Sequence, residues 1–289
     1  MLSKKTVAFL GAGSMAEAMI SGIIDAKKIP SNQIIVSNRS NEARLKQLEE
    51  KYGIIGVTKE NINYDPIDII ILAMKPKDAE ASLTSIKDLL QPNQLILSVL
   101  AGVSTLFMEQ NLPFGQQVIR VMPNTSSMIG ESATAISAGL HTTNQNMQVA
   151  IDLLQSIGEV FVIPEDNMDI FTGIAGSGPA YFYYLMEHME KTGLQAGLTS
   201  DVARKIIAQT MVGAAKMIQI KGETPTVLRE NVTSPNGTTA AGLAALEMNG
   251  GGKAIAAAIT HATNRSKEMR TQLEGSIIIK DEAKAVLSK

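Results

Sequence analysis

The chain has no cysteine among its 289 residues. That absence excludes disulfides, thiolate nucleophiles and cysteine-based metal sites. Histidine is scarce: His141, His188 and His261 are scattered and form no HExxH or similar spacing, so no metal site is expected. A GxSxG nucleophile elbow is also missing, since Gly176-Ser177-Gly178 has the wrong spacing. No apolar run approaches the ~20 residues needed to span a bilayer, and no membrane association is expected. Neither charge sign dominates: 26 Lys and Arg face 28 Asp and Glu, for a net charge of −2, without a long run of one sign. That balance argues against nucleic acid or a membrane surface as partner. The start, Met1-Leu2-Ser3-Lys4-Lys5, has no apolar segment followed by a small-residue cleavage site, so a cytoplasmic location is expected.

What is present is 45% apolar residue content in a chain long enough for two cores, since single cores stop growing near ~250–300 residues. From Thr6 to about Pro164, short β-branched runs alternate with segments of helical period, the pattern of parallel strands joined by crossover helices. The predicted strands are 6–10, 33–37, 67–73, 94–99, 117–122, 133–137 and 160–163. After Pro164 the strand signal stops, and helices rich in Ala, Met, Ile and Leu are predicted at 179–192, 199–222, 226–231, 238–248 and 253 to about 273. The expected fold is α/β: an N-terminal Rossmann-type doubly wound sheet over residues 1–164, followed by an all-α C-terminal domain over 165–289. Small residues at 240–245 and 254–262 allow close helix packing. The helices suit an ordinary monomeric bundle, but with aromatics at only 4% completion of the core by a second copy is the preferred reading.

Directly after the first strand comes Gly11-Ala12-Gly13-Ser14-Met15-Ala16, a GxGxxA turn opening a helix. The first glycine permits the tight turn, the second lets backbone approach a pyrophosphate, and Ala16 allows helix to pack on strand. The exposed amides at the helix start then face the phosphates. At the end of the second strand, where enzymes using NAD usually carry an acid, the chain reads Asn38-Arg39-Ser40. Arg39 can hold a 2′-phosphate by charge-assisted hydrogen bonds, so NADPH is the expected cofactor, with NADH allowed. Two further strand ends, Ala73-Met74-Lys75-Pro76 and Ala101-Gly102, are expected to border the cofactor, because ligands of open α/β sheets sit beyond the carboxyl ends of strands. Lys75 is read as a cofactor contact.

In the helical half, Ser234-Pro235-Asn236-Gly237-Thr238-Thr239 leads into an apolar helix. Its free amides and the hydroxyls of Ser234, Thr238 and Thr239 could converge on one small anion such as a carboxylate. The same pattern suits a well-capped helix with no ligand, and the residues alone leave both readings open.

The stretch Asn231 to Glu247 closely resembles the signature of the Δ1-pyrroline-5-carboxylate reductase family. The Gly11 turn, Ala73-Met74-Lys75-Pro76, Arg120-Val121-Met122-Pro123-Asn124-Thr125 and Gly176-Ser177-Gly178-Pro179-Ala180-Tyr181 resemble family motifs in family order, covering nearly the whole chain. The resemblance implies reduction of 1-pyrroline-5-carboxylate to L-proline, the last step of proline biosynthesis, by hydride transfer from NAD(P)H. It implies that Ser234, Gly237, Thr238 and Thr239 hold the substrate carboxylate and ring nitrogen, with Thr239 nearest the nitrogen. Ser177 and Gly178 would line the same cleft, and Asn61 would contact the adenosine side of the cofactor. It also implies a homodimer through the helical domain and allows a larger ring such as a decamer. Asn236 stands where many members have a second glycine; asparagine tolerates the left-handed conformation, so the turn should survive. Glu223 lies near a family acidic position and receives no role.

A protonated ring imine is already electrophilic, so docking and alignment supply most of the acceleration and no strong general acid is required. Thr239 is the expected catalytic residue, as hydrogen-bond donor or proton conduit to nitrogen. Two other readings stand beside this one: an NADP-dependent β-hydroxyacid dehydrogenase using Lys205 or Lys216, and a non-catalytic dinucleotide sensor. The Arg39 assignment predicts that Arg39→Ala abolishes the preference for NADPH over NADH. An unchanged ratio of kcat/KM for the two cofactors would remove Arg39 from the site.

Overall fold

The computed structural model describes residues 2–287, with side chains through residue 275. The chain divides into two compact units, Met1–Gly176 with His261–Lys289, and Ser177–Thr260. The sequence reading drew a single boundary, after Pro164.

The first unit is built on one eight-stranded sheet of order β3-β2-β1-β4-β5-β6-β7-β8. Its strands are β1 (Val7–Leu10), β2 (Ile34–Asn38), β3 (Ile55–Thr58), β4 (Ile69–Leu72), β5 (Leu95–Ser98), β6 (Gln117–Met122), β7 (Ser132–Ala138) and β8 (Gly158–Val162). Crossover helices α1 (Ser14–Asp25), α2 (Glu42–Tyr52), α3 (Ala79–Ile86), α4 (Thr105–Asn111) and α5 (Asn144–Leu154) cover it. All strand pairs are parallel except β6 with β7. The connection 123–131 is too short for a crossover, which needs a dozen or more residues, so β7 must turn back beside β6. β3 escaped sequence detection because it is a short, partly exposed edge strand containing Gly56, with little apolar alternation to mark it.

Alternation along the strands splits the core between the two sheet faces. Val7, Phe9, Ile69 and Ile71 pack with Met19, Ile20 and Ile23 of α1 and Leu153 of α5. Ala8, Leu10, Ile70 and Leu72 pack with Leu83 of α3 and Phe107 of α4. Every residue of β1, β4 and β5 is buried, as expected of central parallel strands covered on both sides.

Beyond β8, α6 (Met168–Phe171) and a π-helical turn at Thr172–Gly176 lead to α7 (Gly178–Gln195). Arg120 of β6 is fully buried and gives Glu165 an ion pair at 2.8 Å. Asp169, on α6, accepts from Ser266 at 2.7 Å and from Arg270 at 3.2 Å. Both donors lie on α11 (Gly251–Leu287), which extends well past its expected end near Leu273. A buried guanidinium is tolerable only with such partners. Here they tie the later part of α11 to β6 and α6.

The second unit holds α7, α8 (Ser200–Lys221), α9 (Pro225–Asn231), α10 (Thr238–Met248) and the first turns of α11. α8 ends at Gly222, whose φ of 66° is the left-handed cap expected there. α7 runs through Gly193 and stops before Gly197, whose φ is 94°. Glu190 of α7 accepts from Ser200 and, at 2.9 Å, from Arg204 of α8. Only Gly178, Ala203 and Ile207 are buried within the helices α7 to α10, whereas Phe182, Tyr183, Ile206 and Met248 are well exposed on the single chain.

Between α1 and α2, the Glu17 carboxylate accepts from Lys51 at 2.8 Å, from Tyr52 at 3.0 Å and from Arg44. The hydrogen bond from Lys51, then that from Arg44, holds the Glu17 carboxyl at about 2, well below its ordinary 4.5. A carboxyl depressed on folding stabilises the native state above its unfolded pKa, and that contribution is lost as pH falls through the folded value. Glu17→Gln should therefore cost on the order of 1 kcal/mol at neutral pH, allowing for solvent screening. Thermal melts of the two proteins should differ by a constant amount above about pH 5 and converge between 4.5 and about 2. A difference independent of pH down to 2 would refute this account.

Candidate functional site

In the sheet order, β1 is flanked by β2 and β4, and the winding reverses between β1 and β4. The carboxyl ends of strands at such a reversal leave a crevice for ligand. Gly11 follows β1 with φ 126°, and its N–H donates to the Ser37 carbonyl at 2.9 Å. A Cβ on Gly11 would lie 2.4 Å from the carbonyl oxygen of Ala73. The first glycine is thus required by its backbone conformation and by the close approach of the segment after β4.

Gly13 is the N-cap of α1, with no side-chain cap, and an added Cβ there would meet nothing within 4 Å. The N–H groups at Ser14, Met15 and Ala16 open the helix, where the macrodipole favours an anion. Ala16 is fully buried, and Met15 receives the Ser127 hydroxyl at its sulfur, 3.5 Å away. These features fit a dinucleotide: open space over Gly13, uncapped amides, and close helix-to-sheet packing.

The other cofactor candidates lie just beyond the carboxyl ends of neighbouring strands. Asn38 ends β2, followed by the exposed Arg39 and Ser40. The Arg39 side chain is 83% exposed and, among the described residues, reaches only Asp78, at 3.6 Å, so it is poorly committed to protein partners. Asn61 sits one short turn past β3 and donates to the Thr58 hydroxyl at 2.9 Å. Ala73, Met74, Lys75 and Pro76 follow β4, with Lys75 exposed. Ala101 and Gly102 follow β5; Gly102 has φ 75°, and a Cβ there would lie 3.3 Å from Met269 and Arg270 of α11. The sheet therefore gathers these residues, scattered through the sequence, along one edge.

In the second unit, Ser234 to Thr239 form one turn. Asn236 adopts φ 60°, the left-handed conformation expected of it in place of glycine. Gly237 donates its N–H to the Ser234 carbonyl at 3.0 Å and is the N-cap of α10. Its missing Cβ leaves room for the Ser234 hydroxyl, which would stand 2.4 Å from a Cβ. α10 has no side-chain cap, so the reading of this turn as a well-capped helix start does not hold. Thr238 and Thr239 occupy the exposed first turn. Ser177 and Gly178 open α7, separate in the chain from that turn.

Lys205, a candidate for the dehydrogenase reading, is paired with Asp201 at 2.8 Å on the exposed face of α8. Glu223 is exposed between α8 and α9. His188 stacks edge-on against Tyr184, and His141 against Phe114. Arg44, absent from every sequence motif, donates from Nε to the Ala12 carbonyl at 3.1 Å, inside the glycine turn. Nothing in the pattern of α2 marks it out, because its partner lies 32 residues away.

Residues 165–269 match the family model for pyrroline-5-carboxylate reductase dimerisation, and 6–102 match that for coenzyme F420-dependent NADP oxidoreductase. Pyrroline-5-carboxylate reductase 1 of Bacillus spizizenii is 60% identical over 271 residues, covering 94% of this chain and 91% of that protein. The solved structure of Plasmodium falciparum pyrroline carboxylate reductase with NADP bound superposes with a TM-score of 0.84 at 27% identity, covering 93% of this chain and all of that one. A pyrroline-5-carboxylate reductase structure from Coxiella burnetii gives a TM-score of 0.83 at 31% identity, covering 92% of this chain and 98% of that one. With 60% identity over nearly the whole chain and a matching fold, the chain belongs to the pyrroline-5-carboxylate reductase family.

Proposed function

We propose that this protein reduces 1-pyrroline-5-carboxylate to L-proline at the expense of NADPH, completing proline biosynthesis. The observation that carries the reading is the uncapped start of α10, where Gly237, Thr238 and Thr239 present amides and hydroxyls beside Ser234. A carboxylate is the anion of matching size and charge for such a helix start. Bound NADPH supplies the hydride that adds to the C=N carbon.

Gly11, Gly13, Ser14, Met15 and Ala16 hold the pyrophosphate in this reading. Asn38, Arg39 and Ser40 take the 2′-phosphate; the weak 3.6 Å pairing of Arg39 with Asp78 leaves its charge available for it. Asn61 serves the adenosine side. Ala73, Met74, Lys75, Pro76, Ala101 and Gly102 border the remainder of the cofactor. Ser177 and Gly178 join Ser234, Gly237, Thr238 and Thr239 around the substrate. The Thr239 hydroxyl donates a hydrogen bond to the neutral imine nitrogen and relays a proton to it; once protonated, that nitrogen makes the adjacent carbon electrophilic. No metal takes part.

The division of labour is between a cofactor domain, residues 1–164, and a helical substrate and dimerisation domain, 165–289. The family-model matches at 6–102 and 165–269 support that division. The exposed apolar side chains of α7 and α8 support a homodimer through the helices, which larger rings such as a decamer could multiply. The reading places this work in the cytoplasm; among the described residues no helix is long and apolar enough to cross a membrane.

Thr239→Val should lower kcat by about 10²-fold, the scale of a lost proton-donating group, while NADPH affinity persists. Loss of NADPH absorbance with pyrroline-5-carboxylate measures the first, and fluorescence titration the second. Turnover at the unmodified rate would take Thr239 out of the mechanism. No oxidation of NADPH by the unmodified protein would reject the function itself.

A further inference from the structure

Arg44 is committed at three points beside the glycine turn. Its Nε donates to the Ala12 carbonyl at 3.1 Å, its Nη1 to Gln47 at 2.6 Å, and its Nη2 to Glu17 in the first turns of α1. Its own backbone is held by the Asn41 side chain, which caps α2 at 2.9 Å. Glu17 is fixed in turn by Lys51 and Tyr52. The guanidinium is thus a brace from α2 to the turn, with only 21% of its side chain exposed.

Ala12 and Gly13 share one peptide group. That group is planar and trans, so its carbonyl and its N–H point in opposite directions. Holding the Ala12 oxygen toward Arg44 therefore turns the Gly13 N–H away from it. Gly13, lacking a Cβ, offers little resistance to rotation of that peptide, and the hold must come from outside the turn. We infer that Arg44 is a positioning residue for the dinucleotide: by gripping the Ala12 carbonyl it aims the Gly13 N–H at the cofactor phosphates.

The inference rests on the reading of the Gly11 turn as the pyrophosphate site. Arg44 also shares with Lys51 the neutralisation of Glu17, whose charge near the start of α1 opposes a phosphate. Mutation separates the two effects. In Arg44→Met the Kd and KM for NADPH should rise about tenfold, equivalent to about 1.4 kcal/mol, while kcat at saturating NADPH does not fall in step. The double variant Glu17→Gln/Arg44→Met removes both charges and should bind NADPH as weakly as Arg44→Met, because the carbonyl is still released.

Recovery of normal affinity in the double variant would mean that charge neutralisation alone matters, and would overturn the inference. So would normal affinity in Arg44→Met. If circular dichroism shows Arg44→Met unfolded, Arg44→Lys decides. Its single nitrogen keeps the charge beside Glu17 but cannot hold both partners as the guanidinium fork does. Weakened binding in that variant supports the brace, and unchanged binding overturns it. Failure of the unmodified protein to bind NADPH would instead defeat the underlying dinucleotide reading, a result distinguishable from either variant outcome.

Discussion

The close approach of Gly11 to the Ala73 carbonyl is the constraint on which the rest of the cofactor edge depends. The two backbones meet where the winding of the sheet reverses, and a Cβ would stand only 2.4 Å from the oxygen. Their contact lets α1 begin close to the sheet, with its uncapped amides at the carboxyl edge of β1. Ala16, buried behind the turn, keeps the helix close, and Gly22 continues the fit further along: a Cβ there would come within 2.6 Å of the Ser156 carbonyl. Gly11 before the helix and two small residues on it, Ala16 and Gly22, thus set where its start lies.

Helix starts in this protein differ in how their amides are satisfied; α3, α6, α7 and α8 make no side-chain cap although Asp78, Asn167, Ser177 and Thr199 stand there. α2, α4, α5 and α9 begin with Asn41, Ser104, Thr143 and Thr224, whose side chains accept from backbone N–H groups. α1 and α10 begin instead at Gly13 and Gly237, which have no side chain to offer. A helix start without a cap leaves donors and a positive dipole end exposed, a cost offset when an anion binds. The proposed reaction would use this device at both sites, once for phosphates and once for a carboxylate.

The two units differ in how they bury apolar surface. The first encloses the sheet between helices and leaves its central strands dry. The second has few fully buried side chains on the single chain, in keeping with its match to a dimerisation family model. Arg120 adds a different kind of cohesion: its buried charge, shared with Glu165 and near Asp169, makes β6, α6 and the later part of α11 mutually dependent. Such a network specifies which elements meet more than it adds to stability.

Local pattern determined a good deal. The β6 and α10 spans were legible to the residue, and so were the glycine turn and the cap at Gly222, because each depends on neighbours within a few positions; the left-handed Asn236 followed from the family resemblance. Tertiary structure alone decided that β3 joins the sheet as an edge, that β7 runs antiparallel, and that α11 returns to the first unit. It alone brought Arg44 to the Ala12 carbonyl and set Arg270 on Asp169, 101 residues away. Periodicity and turn chemistry report only what a residue does with its near neighbours, whereas these contacts exist because the chain is folded back on itself, where distance along the sequence carries no information about distance in space.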